Sequence, residues 1–207
     1  MNWVKVVRPA LALAALAAGG LTATLTLTGG IAESPTLQAT LGLVIGLAWC
    51  STGFAEWRRR PSNRIGPLMV ALGFAWFASQ LRFSDYAALF TFGHALAALH
   101  FAFFAHVLLA FPSGRLESRA ARAIVVAAYV DTTVVVWASV LFDNTGDARN
   151  IALIEARNDL SERLGNLASG VGVVLIIAAL CILAGRWRRA TPPWRRVVAP
   201  VLFSGWA

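Results

Sequence analysis

The chain has 207 residues, of which 58% are hydrophobic and 14% charged, with a formal net charge of +8. A typical soluble domain carries about 25% charged residues, so this composition argues against an ordinary water-soluble core. The surplus base sits in short loops between apolar runs, which argues against a nucleic-acid partner and for anionic lipid headgroups.

Apolar runs of membrane-crossing character are predicted at residues 9–30, 35–55, 66–81, 90–111, 122–142 and 165–185, and a seventh starts near 197 and is incomplete at 207. The expected fold is an all-α polytopic transmembrane helix bundle, six complete spans plus a truncated seventh. The first run is about twice the length of a signal-peptide core, which favours a retained span. Its Thr22, Thr24, Thr26 and Thr28 alternate with period two, which makes no helical face, so each hydroxyl is expected to bond its own helix backbone. The second run carries Gly42 and Gly46, a helix-packing spacing that is weak ground for a dimer.

The next loop holds Arg58, Arg59, Arg60, Pro61, Ser62, Asn63, Arg64, Gly66 and Pro67. Pro61 is expected to stop the helix near Arg60, Ser62 or Asn63 to cap the next one, and Pro67 to fall in its first turn. The dense arginine reads as topogenic, with a site for an acidic partner or lipid as the alternative. The third run is short.

The fourth run carries His94, His100 and His106. Steps of six residues rotate by about 600°, so the three point in different directions, which argues against a shared haem or metal site. The loop Phe111-Pro112-Ser113-Gly114-Arg115-Leu116 suits a type I turn with Pro112 second and Gly114 fourth. The fifth run holds Asp131, an ionisable group inside a span and so a functional candidate. His100 and Asp131 are expected within about one helical turn of each other in depth. Gly93 and Ala97 share the face of His100, and Ala127 and Ala138 that of Asp131, as small residues do where helices approach. The expectation is a hydrogen bond or ion pair between them, answering to protons or fixing packing. Residues 143–163 form the longest loop, in which Ile151, Ile154 and Leu160 hint at a short surface helix. Cys50 and Cys181 read as free thiols, small hydrophobes near the cytoplasmic span ends.

One set of alternate loops holds Lys5, Arg8, Arg58, Arg59, Arg60, Arg64, Arg115, Arg119, Arg122, Arg186, Arg188, Arg189, Arg195 and Arg196. The other set holds only Arg82, Arg149, Arg157 and Arg163. The positive-inside rule therefore predicts a multi-pass protein of the cell membrane with its N-terminus in the cytoplasm. Six spans from there return the chain to the cytoplasm, so a complete unit with a cytoplasmic output is expected to have an even span count. No Walker loop, dinucleotide fingerprint, nucleophile elbow or zinc signature occurs, so these residues supply no catalytic group, cofactor site or metal site of their own.

The stretch Gly53 to Leu68, with Trp57, Arg59, Arg60, Pro61, Asn63 and Gly66, resembles the N-terminal membrane region of multi-span actinobacterial sensor histidine kinases. So does the later run with Pro112, Gly114, Arg115, Arg119, Arg122 and Tyr129; residues 50–130 carry the likeness best. The resemblance implies a downstream cytoplasmic helix pair for dimerisation and phosphoacceptance, then a domain using ATP and Mg. It also implies a homodimer through that kinase region and a response regulator as partner. His94, His100 and His106 all lie in a span and match no phosphoacceptor. The expected function is a membrane input region relaying a stimulus through helix packing. The alternatives are a small transporter or permease-like protein, or a membrane remnant without output. Absence of a repeat between the two three-span groups and of mid-span proline weighs against transport.

Overall fold

The computed structural model describes residues 3–144 and 150–189, and among these the chain is all helix and turn. The expected seventh run at 197–207 lies outside the described residues.

Helix α1 (Trp3–Thr28) starts six residues before the predicted run and takes in Pro9. α2 (Pro35–Arg59) starts with proline at its first position, where no N–H partner is needed. It runs four residues past the predicted end because the stop is steric rather than hydropathic: Pro61 holds Arg60 extended, at φ −131° and ψ 76°. α3 (Ile65–Gln80) has sixteen residues, about 24 Å at 1.5 Å per residue. A 3-10 turn, Leu81–Phe83, closes it.

The predicted fourth run is two helices, α4 (Ala87–Ala95) and α5 (Leu99–Ala110). Between them the amides tighten to three-residue bonds: Ala97 N–H donates to His94 at 3.1 Å and Leu99 N–H to Leu96 at 3.1 Å. The fifth is α6 (Arg119–Val130), a π turn (Asp131–Val135) and α7 (Val136–Val140). Ser118 caps α6 by accepting from the Ala121 N–H at 3.0 Å. At the π turn the Thr132 and Thr133 hydroxyls bond the Ala128 and Tyr129 carbonyls at 2.8 and 2.6 Å.

α8 (Asn158–Arg189) begins seven residues before the expected run, and the expected surface helix at 151–160 does not form. Its backbone bonds go elsewhere. Ile154 N–H donates to the Leu141 carbonyl at 2.9 Å and Arg157 N–H to Phe142 at 3.2 Å. Asn150 Nδ2 reaches the Val140 and Asp143 carbonyls. The segment caps the end of α7 instead of coiling on itself.

Five helical segments are long and apolar enough to cross a membrane: Val6–Thr28, Pro35–Arg59, Ala87–Ala110, Arg119–Val140 and Asn158–Arg188. The expected six complete spans are therefore five by length, since α3 is short. α3 is also the most enclosed helix, with α1, α2, α4 and α5 around it. The α2–α3 interface is lined by small residues. Gly46 faces the Phe77 ring, Gly73 the Cys50 thiol, and Gly53 the Val70 backbone. Leu13, Leu41, Val126, Val174 and Ile177 stand exposed on the outside. Small groups inside and large apolar groups outside is the arrangement of helices packed in lipid, compatible with a membrane protein.

Candidate functional site

Two places hold the residues singled out by sequence: the middle of the bundle and the end carrying the arginine-rich loops.

In the middle, no ion pair or hydrogen bond joins His100 to Asp131. His100 Nδ1 and Asp131 Oδ1 are each buried without a partner. The His100 ring lies edge-on to Trp76, with centroids 4.9 Å apart. The reason is register. His94 Nε2 sits 3.3 Å from Asp143 Oδ2, and His106 Nδ1 sits 3.3 Å from Tyr129 Oη. Those two contacts set the antiparallel alignment of α4–α5 against α6–α7. They put Asp131 level with a point about four residues beyond His100, roughly 6 Å further along the helix. The three histidines thus meet three neighbours, Asp143, Trp76 and Tyr129.

The His94–Asp143 and His106–Tyr129 contacts were missed from sequence. Their signal is spacing: the histidines are twelve residues apart and their partners fourteen, on neighbouring antiparallel segments. Tyr129 also takes the Phe103 ring edge-on at 5.2 Å. Beyond the α3 terminus, Arg82 lies over the Phe83 ring at 4.9 Å, and burial holds its guanidinium below the ordinary arginine pKa.

At the arginine-rich end, two loops are clasped together. The Asn63 Oδ1 accepts from the Ile65 N–H at 3.0 Å, in a tight turn just before α3, whose N-cap position is Arg64 rather than the expected Ser62 or Asn63. The Asn63 Nδ2 donates to the Pro112 carbonyl at 2.8 Å, across 49 residues of sequence. Gly114 fits this contact because it has no side chain. A Cβ there would lie 2.7 Å from the Arg64 amide nitrogen and against Asn63 Oδ1. Its φ of +73° is left-handed, which favours glycine. The expected type I turn is therefore replaced by a wider one, closed by the Gly114 N–H on the Ala110 carbonyl at 2.8 Å. The left-handed glycine turns the chain back toward Asn63. The Phe111–Pro112 bond is cis.

Gly66 presses on the other side of the same loop, where a Cβ would stand 2.5 Å from the Trp57 nitrogen. Arg8 from α1 donates to the Trp57 carbonyl at 2.8 Å and lies over its ring at 5.0 Å. Arg60 pairs with Glu56 at 3.6 Å in the open, a contact worth little by itself. Arg59 and Arg115 are exposed, as is Pro61. From the other side of the bundle Arg186 donates to the Leu109 carbonyl at 2.8 Å, tying α8 to the end of α5. Every helix except α4 and α7 is thus bonded, directly or through a loop, to its neighbours at this end.

No family model, curated protein or solved structure matches the chain.

Proposed function

We propose that the chain is the membrane input region of a two-component sensor histidine kinase, relaying a stimulus through helix packing to a downstream cytoplasmic kinase. The observation that carries the reading is the Asn63–Pro112 clasp. An input region has to gather helix displacements into one movement at its inner face. The clasp, with Gly66 on Trp57 and Gly114 on Asn63, couples α2, α3, α5 and α6 at that end. The two loops are also the two runs that resemble the kinase family.

In this reading the N-terminus and the arginine-rich loops face the cytoplasm. α3 is a sixth crossing, short because its neighbours shield it and it meets little lipid. ATP and Mg act on the downstream domain, through which the protein dimerises and meets its response regulator. The test is to read the gene beyond codon 207. An open frame encoding further spans, a histidine-bearing helix pair and an ATP-binding domain is the expected result. A stop codon after Ala207 overturns the reading.

Transport is the second reading, favoured by one observation. The break at 96–98 and the π turn at Asp131 interrupt two neighbouring segments, and transporters place binding groups beside such interruptions. Solute uptake by vesicles bearing the chain, lost on Asp131→Asn, would favour it over the sensor.

A further inference from the structure

Three consecutive arginines close α2, Arg58 and Arg59 in its last turn and Arg60 as its C-cap, and they are not equivalent. Glu56 takes up the charge of Arg60 at 3.6 Å. Nearby, Arg8 is committed to the carbonyl and ring of Trp57. Arg58 and Arg59 have no acidic partner among the described residues, and both are exposed. These two guanidiniums, with Phe54 and Ala55, line an open surface cleft of about 420 Å³.

The order of the lining follows from helix geometry. Phe54 and Arg58 are four residues apart, and so are Ala55 and Arg59, so each arginine lies about 6 Å beyond an apolar residue along the axis. The cleft is apolar toward the bundle and doubly cationic toward its end. A free anion would use only the cationic half. A neutral acyl chain would use only the apolar half. A molecule with a phosphate joined directly to a hydrocarbon uses both.

We propose that this cleft binds an anionic phospholipid, with the phosphate between the Arg58 and Arg59 guanidiniums and the first part of an acyl chain against Phe54 and Ala55. The site does not depend on the sensor reading or on which leaflet it faces. A lipid held here lies beside the loop that Asn63 clasps, so its arrival changes the charge balance at that loop.

The test titrates the detergent-purified 207-residue chain with dansyl-labelled phosphatidylglycerol, read by energy transfer from tryptophan. Saturable binding is expected. Each unpaired arginine near such a headgroup contributes roughly fivefold in affinity, so Arg58→Gln with Arg59→Gln is expected to weaken binding about 30-fold. Arg59→Gln alone is expected to weaken it about fivefold. Arg60→Gln, whose charge Glu56 already meets, is expected to change it less than about twofold. Helical circular dichroism confirms that each variant is folded. Dansyl-phosphatidylcholine is expected to bind at least about tenfold more weakly, since its net charge is zero. Equal binding by the double variant overturns the site. Equal binding of phosphatidylcholine reduces it to the general lipid belt and overturns the proposal. Displacement of the probe by millimolar inorganic phosphate shows a simple anion site and also overturns it.

Discussion

Asn63 makes two bonds with opposite chemistry, accepting from Ile65 N–H and donating to the Pro112 carbonyl. An aspartate would keep the first and lose the second; an alanine loses both. Asn63→Ala is therefore expected to cost about 1–2 kcal/mol and Asn63→Asp a smaller amount, measured as unfolding midpoints in detergent. Gly114→Ala is expected to cost about 1–3 kcal/mol, because the added carbon meets the Arg64 amide and φ is left-handed. Unchanged midpoints for both Asn63→Ala and Gly114→Ala would mean that the loops are not clasped. Half of this was legible in the sequence. The bond from the Ile65 N–H to Asn63 is a local rule acting over two residues, though it falls one position before the N-cap, Arg64. The bond to Pro112 spans 49 residues and has no local signal.

At the level of elements, the decisive quantity is register between antiparallel helices. His100 and Asp131 drew notice as lone polar groups at mid-span, but the packing leaves His100 Nδ1 and Asp131 Oδ1 without partners and joins His106 to Tyr129 and His94 to Asp143 instead. A one-turn error in depth is enough to exchange partners, and hydropathy boundaries are no finer than that. The interruptions add to the error, since a π turn holds one more residue per turn than an α-helix. The His106–Tyr129 contact is expected to show in a double-mutant cycle of His106→Phe and Tyr129→Phe. The coupling expected is about 0.6 kcal/mol and no more than roughly 1.7, the range for hydrogen bonds between membrane helices. Strictly additive losses would show that the two side chains act separately. Gly42 and Gly46, read as a packing motif that gives weak ground for a dimer, pack within the chain: Gly42 faces Gln80 and Gly46 faces Phe77.

For the whole molecule, topology is the number of crossings and their direction. Five segments have the length to cross, and α3 is enclosed by helices. Single cysteines in a Cys50→Ala, Cys181→Ala background address both with an impermeant maleimide. Ser62→Cys and Ser113→Cys, exposed in the arginine-rich loops, are expected to react from the cytoplasmic side. Tyr86→Cys and Glu155→Cys, also exposed, are expected to react from the outside. If Tyr86→Cys instead reacts from the same side as Ser62→Cys, α3 does not cross, and the six-span topology fails with it.

The sequence by itself determined which stretches are helical and apolar enough to cross a membrane, but not where each begins, ends or breaks. Transfer into hydrocarbon is close to a sum over neighbouring residues, and Pro61 and Ser118 act on the turns beside them. The tertiary structure alone decided which polar groups meet, which glycines face a neighbour, and how the two loops close on each other. Those outcomes depend on the rotation and relative depth of whole helices. Contacts distributed along the bundle set both, and no single stretch of the chain contains them.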